Sequence, residues 1–168
     1  EGAGPGPIVR PASHPAIRSL LATPRGESLA LAGPVTTDEI VYCKSLPLWL
    51  APHPAETPAA FAVRLVESVK RYAKDNGYAP RIALVPGVGA WTAGGSPSEA
   101  RTVELVYGES MRAVALAESL GGCRFLSPAA RDFIDGLHIP QEERWQAPWR
   151  FFSTRPAEWS RCHEPLRG

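Results

Sequence analysis

The sequence predicts an α/β fold in which a layered sheet is flanked by helices. Three observations indicate this class: segments with helical apolar spacing, a short continuous apolar run typical of a buried strand, and the alternation of the two along the chain. Glycine (15 residues) and proline (18 residues) cluster between these segments, where they mark turns. A Rossmann-like arrangement is one layered fold that this order of elements allows.

The first third of the chain contains short elements. Residues 1–15 are rich in proline and glycine and are predicted to form a flexible linker or arm. The apolar residues within 17–21 suggest a short helix, and those at 29–32 suggest a strand. Residues 36–43 are predicted to form a helix with acidic residues in its first turn, and a short apolar run at 46–50 follows.

A long amphipathic helix is predicted from Thr57 to about Asn76. Thr57 can cap its first turn, Pro58 suits the first helical position, and Gly77 ends it. Its predicted apolar face consists of Phe61, Leu65, Val66, Val69, Tyr72 and Ala73. The opposite face is basic and is interpreted as a solvated surface.

The centre of the chain combines a strand with the longest helix. The apolar run at 81–85 is typical of a strand in a sheet covered on both faces. After a glycine-rich turn, Ser96 and Glu99 form a capping box that opens a helix running to about residue 120. A last helix is predicted for residues 127–134.

The length of 168 residues suits a single domain with one hydrophobic core. We predict an α/β domain over residues 16–140, followed by a tail over 141–168 that is rich in tryptophan and arginine. Such a tail is expected to pack on its own domain or on a partner. The chain does not begin with methionine, so we expect it to be part of a larger protein.

Composition argues against several function classes. The 18 basic and 17 acidic residues are evenly mixed, so a nucleic-acid interface is not expected. No apolar run is long enough to span a bilayer. Three widely separated cysteines fit neither a disulfide framework nor a zinc ribbon, and a reducing cytoplasm is the expected location. Four scattered histidines show no metal-binding spacing.

The glycine-rich turn is a candidate phosphate site because it joins a strand to the N-terminus of a helix. Its candidate residues are Gly87, Gly89, Gly94, Gly95 and Ser96. The turn matches neither a Walker A loop nor a dinucleotide fingerprint. An alternative interpretation is a tight turn followed by a second short strand at residues 90–92.

Lys44 is the candidate cation of the sequence. It follows a predicted short helix, where a positive charge complements the helix dipole. That structural role and a role in ligand binding both fit the position.

Two separated segments together resemble one known family. Residues 36–44 with 46–49, and residues 80–89 with 93–101, are similar to the class II aldolase/adducin family. The similarity is to the second, non-metal-binding aldolase-like unit of bifunctional rhamnulose-1-phosphate aldolase-type proteins. The residues that match the first family motif are Thr36, Asp38, Ile40, Val41 and Lys44. The chain departs from it at Glu39, where the family has histidine, and at Thr37, Tyr42 and Cys43.

The resemblance implies an accessory role. In the catalytic unit of the family a histidine ligates zinc; Val88 falls at that place here, and the His-x-His ligand pair is absent. The resemblance therefore implies that this chain alone is not a catalyst, that it holds no cofactor, and that zinc belongs to a separate catalytic domain. The implied partners are that catalytic domain in the same or another chain, a sugar phosphate, and further copies of this chain.

Lys44 and the glycine turn are the candidate residues for binding a sugar phosphate. Two alternatives stay open at the level of sequence: an oligomerisation module, and a Rossmann-like module that binds phosphate or a nucleotide.

Overall fold

The computed structural model describes residues 6–136 of the chain, and they form an α/β fold. The strands are β1 (Ile8–Ala12), β2 (Leu48–Trp49), β3 (Ile82–Val85) and β4 (Gly89–Gly94). The helices are α1 (Pro15–Ala22), α2 (Gly26–Leu31), α3 (Thr37–Cys43), α4 (Pro58–Asn76), α5 (Pro97–Glu118) and α6 (Pro128–Gly136). The predicted fold class is confirmed.

The four strands form one mixed sheet in the order β1-β4-β3-β2. β3 and β4 form an antiparallel hairpin in which Val85 pairs with Gly89, and β1 runs antiparallel to β4. β2 is parallel to β3, with Leu48 opposite Ala83, and α4 connects the two strands as a crossover. The start of β3 therefore lies at the same end of the sheet as the start of β2 and the end of β4.

The core lies between one face of this sheet and the helices α1 and α5. Ile82 and Leu84 of β3 pair with Thr92 and Ala90 of β4, so these four side chains share a face, and all are buried. The helical residues that complete this core include Ile17, Leu20, Val103, Tyr107, Met111 and Val114. Each fully buried aliphatic side chain contributes about 1.5–3 kcal/mol, so this face supplies much of the folding free energy.

A buried carboxylate attaches the N-terminal segment to α5. Glu104 is fully buried; its Oε1 accepts a hydrogen bond from the Ser13 N–H at 2.7 Å, and its Oε2 pairs with Arg101 at 2.7 Å. Burial alone would raise the pKa of Glu104, but these hydrogen bonds and the arginine charge lower it below its ordinary value. The carboxylate therefore stays charged where the chain passes from β1 to α1.

Two predicted elements differ from the structure. The segment predicted as a flexible arm contains β1, which pairs with β4 at the edge of the sheet, where a proline such as Pro11 is tolerated. Residues 29–32 were predicted as a strand, but most of them belong to the helix α2. Alanine and leucine favour helix, Glu27 lies in its first turn, and four apolar residues alone do not distinguish the two states.

The three main helices begin and end near the predicted residues. Thr36, Thr57 and Ser96 cap α3, α4 and α5, and Gly77 ends α4 in the left-handed conformation. The predicted apolar face of α4 needs correction at Val66, which is 54% exposed. Val66 is exposed because α4 buries Tyr72 alone among its described residues.

The predicted tail, residues 141–168, lies outside the described part of the chain. Among the helices of residues 6–136, none is both long and apolar enough to cross a membrane.

Candidate functional site

The glycine-rich turn is the tip of the β3–β4 hairpin. Gly87 has φ 74° and Gly89 has φ 154°, conformations that allow the chain to reverse directly between the strands. The structure therefore supports the alternative interpretation of a tight turn followed by a second strand. Gly87 and Gly89 lie at the far end of the hairpin from the N-terminus of α5, so they do not share one anion site with it.

Gly94, Gly95 and Ser96 connect β4 to α5. A Cβ at Gly94 would come within 2.5 Å of the Ala100 backbone nitrogen, so glycine is required for this close approach. Ser96 Oγ accepts a hydrogen bond from the Glu99 N–H at 3.1 Å, and Glu99 Oε2 accepts one from the Gly95 N–H at 2.6 Å. The first bond is one half of the predicted capping box, whereas in the second Glu99 reaches Gly95, the residue before the N-cap Ser96.

The N-terminus of α5 already holds a carboxylate. Glu99 Oε1 lies 2.5 Å from a guanidinium nitrogen of Arg81, and both side chains are largely buried. The position that a phosphate would take at this helix end is thus filled by the protein's own anion, whose charge is balanced by Arg81.

Lys44 ends α3 in an unusual backbone conformation. Its φ of 70° and ψ of 166° lie in a region that is essentially restricted to glycine, at a cost on the order of 1–3 kcal/mol. Such strain persists where the surroundings determine the conformation, and it is concentrated at functional sites. The strain therefore singles out Lys44 among the candidates.

The Lys44 side chain lies among polar and aromatic groups from distant parts of the chain. Its Nζ lies 3.7 Å from Asp135 Oδ1 of α6 and 4.7 Å from the centre of the Tyr78 ring. Ser45 Oγ donates a hydrogen bond to Asp135 Oδ2. The ammonium group is thus held by a carboxylate and by the face of an aromatic ring.

Two tyrosines complete this group. The rings of Tyr72 and Tyr78 meet edge to face with centroids 6.0 Å apart, and the Tyr72 hydroxyl donates a hydrogen bond to the Leu46 carbonyl. Burial raises the pKa of both phenols, and the Asp135 charge raises them further, so both stay protonated donors. We call Lys44, Ser45, Tyr72, Tyr78 and Asp135 the Lys44 cluster.

The Lys44 cluster has the chemistry of a site for a polar, oxygen-rich ligand. It offers a cation, hydroxyl groups and an aromatic ring at the end of the sheet where β3 begins. Hydroxyl and carbonyl oxygens of a sugar can accept from Lys44 and Ser45, and the ring of Tyr78 can contact apolar carbon atoms.

The six candidate residues do not form one site. Lys44 lies near the start of β3, and the segment from Gly94 to Ser96 lies at the same end of the sheet. Gly87 and Gly89 lie at the opposite end of the sheet. Sequence reasoning missed Ser45, Tyr72, Tyr78 and Asp135, and no local spacing signals them, because Asp135 is 90 residues from Ser45.

A second buried carboxyl lies in α3. Glu39, at the position where the family has histidine, is 3% exposed, and its Oε2 accepts a hydrogen bond from the Val35 N–H at 3.0 Å. Burial raises its pKa to about 7, although the hydrogen bonds with Val35 and Ser110 act in the opposite direction. Glu39 therefore titrates near neutral pH inside the fold.

Metal binding would need a group of acidic, histidine or cysteine side chains. No three of these side chains come close enough to hold an ion anywhere in residues 6–136.

Comparison with known proteins identifies the family of the chain. The family model described as aldolase class II, second domain, matches residues 5–133. The chain therefore belongs to this family. No protein with a curated description matches the chain significantly.

Among solved structures, the chain is similar to that of YgbL, a candidate aldolase/epimerase/decarboxylase from Escherichia coli. It shares 10% sequence identity with this chain, at a TM-score of 0.49. The similar region covers 72% of this chain and 53% of that one, so the chain spans about half the length of YgbL.

Proposed function

We propose that this chain is an accessory domain of a class II sugar-phosphate aldolase-like protein, and that it helps to bind the substrate at the Lys44 cluster. On this proposal the chain does not catalyse the reaction alone. A separate catalytic domain, in the same or another chain, supplies the zinc, because Val88 stands where the resemblance places a zinc-ligating histidine.

One observation carries the proposal. Lys44 matches the family motif and is held in a strained backbone conformation within a partly buried set of donors and acceptors. A lysine that merely complemented the dipole of α3 would need neither the strain nor the contacts with Tyr78 and Asp135. The family match over residues 5–133 supports a role beside an aldolase domain.

The proposal places the phosphorylated or acidic end of the sugar at Lys44. The glycine-rich turn is less suitable because Gly87 and Gly89 shape a hairpin tip, while Glu99 occupies the N-terminus of α5. We propose a cytoplasmic location, which the free thiols of Cys43 and Cys123 fit because disulfides are rare in that compartment.

Calorimetric titration of the full chain tests this proposal. Ketose and aldose phosphates are titrated into the native chain, Lys44→Met and the control Lys70→Met, which removes the same charge at an exposed position of α4. We expect the Lys44 variant to lose at least tenfold in affinity and the Lys70 variant to bind normally. Absence of binding by the native chain, or equal affinity in all three proteins, would refute the proposal.

A second candidate function is an interaction module that forms oligomers or binds the catalytic domain. Val63 and Val66 of α4 are 61% and 54% exposed, which gives this helix an uncovered apolar strip in the described part of the chain. Sedimentation of the full chain at several concentrations tests it. Self-association that Val63→Asp abolishes supports this function, and a monomer at every concentration contradicts self-association.

A further inference from the structure

The Asp135 carboxylate occupies the place in the Lys44 cluster where a ligand anion would bind. One of its oxygens accepts a hydrogen bond from Ser45 Oγ, and the other faces Lys44 Nζ. A hydroxyl donor and an ammonium group on two oxygens of one anion are the contacts that a bound carboxylate or phosphate would receive. Asp135 thus has the position of an internal anion.

The pair between Lys44 and Asp135 is not optimised as a structural ion pair. The distance of 3.7 Å from Nζ to Oδ1 exceeds that of a hydrogen bond, and Asp135 Oδ1 is buried without any hydrogen-bond partner in the described part of the chain. A buried carboxylate oxygen in this state has lost water without full compensation. Replacing it by a better-fitting external anion would remove that cost.

Asp135 lies on a short helix that contributes no residue to the hydrophobic core of residues 6–136. α6 has nine residues, and Phe133 at its centre is 70% exposed. The backbone before α6 is anchored by a hydrogen bond from the Leu126 N–H to the Pro34 carbonyl at 2.9 Å. Rotation of α6 about this anchor would withdraw Asp135 while the sheet and α5 keep their packing.

We propose that Asp135 is an internal competitor for the anion-binding position of the Lys44 cluster, and that a carboxylate or phosphate of the ligand displaces it and releases α6. This inference rests on the proposed function, because it assigns regulation to the same site. It predicts that the affinity of the resting protein for anions is reduced by its own α6.

Substitutions on α6 test the competition directly. Inorganic phosphate and acetate are titrated separately into the native full chain, Asp135→Asn, Asp135→Ala and the control Asp132→Asn, an exposed position on the same helix. Asparagine keeps the shape of the side chain and removes its charge, whereas alanine vacates the position. We expect both Asp135 variants to bind one of these anions about tenfold more tightly and Asp132→Asn to match the native chain. The anion whose affinity increases shows whether the site takes a phosphate or a carboxylate of the ligand.

The outcomes separate this inference from the proposed function. If a sugar phosphate binds in a Lys44-dependent way but neither Asp135 variant binds anions more tightly, the competition is refuted and the proposed function stands. If nothing binds to any variant, both are refuted. Hydrogen exchange adds an independent measurement, because ligand binding should speed the exchange of the α6 amides, and unchanged or slower exchange would contradict release of the helix. Circular dichroism checks that each variant is folded.

Discussion

The imidazole ring of His14 lies directly against Gly108 of α5. A Cβ at Gly108 would come within 2.3 Å of the His14 ring, so glycine is required for this contact. His14 Nδ1 also accepts a hydrogen bond from the Ala16 N–H at 3.3 Å, and its Nε2 lies 3.5 Å from Glu109 Oε1. One side chain thus caps α1 and fixes the start of that helix against α5.

Gly108→Ala is expected to destabilise the protein. Alanine favours a helix over glycine by about 1 kcal/mol, but the overlap with His14 should outweigh this gain and give a net loss of about 1–3 kcal/mol in the free energy of unfolding. Urea denaturation measures the change. The double variant His14→Ala/Gly108→Ala should recover part of the loss because the ring is removed. If Gly108→Ala alone is as stable as the native chain, the contact between His14 and Gly108 is not tight.

Glu39 should make the fold less stable as the pH rises. Because burial raises its pKa to about 7, the folded chain holds this proton where the unfolded chain releases it, between about pH 4.5 and 7. Stability from this group is complete below pH 4.5, falls through that window and is constant above it. The advantage of Glu39→Gln over the native chain should therefore grow by roughly 3 kcal/mol across the window.

Denaturation of both proteins at several pH values measures this difference. Carboxyl groups such as Glu104 and Glu109, whose pKa is lowered, make stability rise with pH. Their contribution is the same in both proteins, so it cancels in the difference. A Glu67→Gln variant, at an exposed position of α4, controls for the loss of one negative charge. A difference between native chain and Glu39→Gln that does not change with pH would mean that Glu39 titrates normally.

The strain at Lys44 predicts a difference between two substitutions that both remove its charge. Glycine adopts φ 70° and ψ 166° without steric cost, whereas methionine does not. We expect Lys44→Gly to be more stable than Lys44→Met by about 1–2 kcal/mol, and both to lose ligand affinity. Thermal unfolding and calorimetry measure the two effects. Equal stability of the variants would show that the backbone at this position is not strained.

Ser96 should act as a helix cap and not as a ligand contact. Ser96→Ala removes the Oγ that accepts a hydrogen bond from the Glu99 N–H and should cost about 1 kcal/mol of stability. Affinity for a sugar phosphate should be unchanged, because Glu99 already occupies this helix end. A loss of affinity with unchanged stability would instead indicate that the ligand anion binds at the N-terminus of α5.

The sequence predicts the elements whose signals are local. Helix caps and helix ends are signalled by residues that are neighbours in the sequence, here Thr57, Ser96 and Gly77. The main helices could therefore be placed within a few positions. β1 could not be predicted, because its stability comes from pairing with β4, more than 70 residues away. Exposed Val66 was missed for the same reason, since burial depends on packing between elements.

The candidate site shows the same division. Lys44 could be found because its family motif is contiguous in the sequence. Tyr78 lies beside Lys44 because of the crossover through α4, and Asp135 because of the position of α6. The spacing of residues in the sequence predicts neither contact. The glycine-rich turn has the composition of a phosphate loop, but its glycines form a hairpin turn and allow a close packing contact.

Chemical-shift mapping by NMR tests the central claim most directly, because it reports which amides sense a ligand. A sugar phosphate is added stepwise to the isotopically labelled full chain. We expect the largest shifts at Lys44, Ser45 and Tyr78, together with the amides of α6, and small shifts at the hairpin tip. Shifts confined to Gly87 and Gly89, or to Gly95 and Ser96, would contradict the account by placing the ligand on the glycine-rich segment, and the absence of any shift would contradict binding altogether.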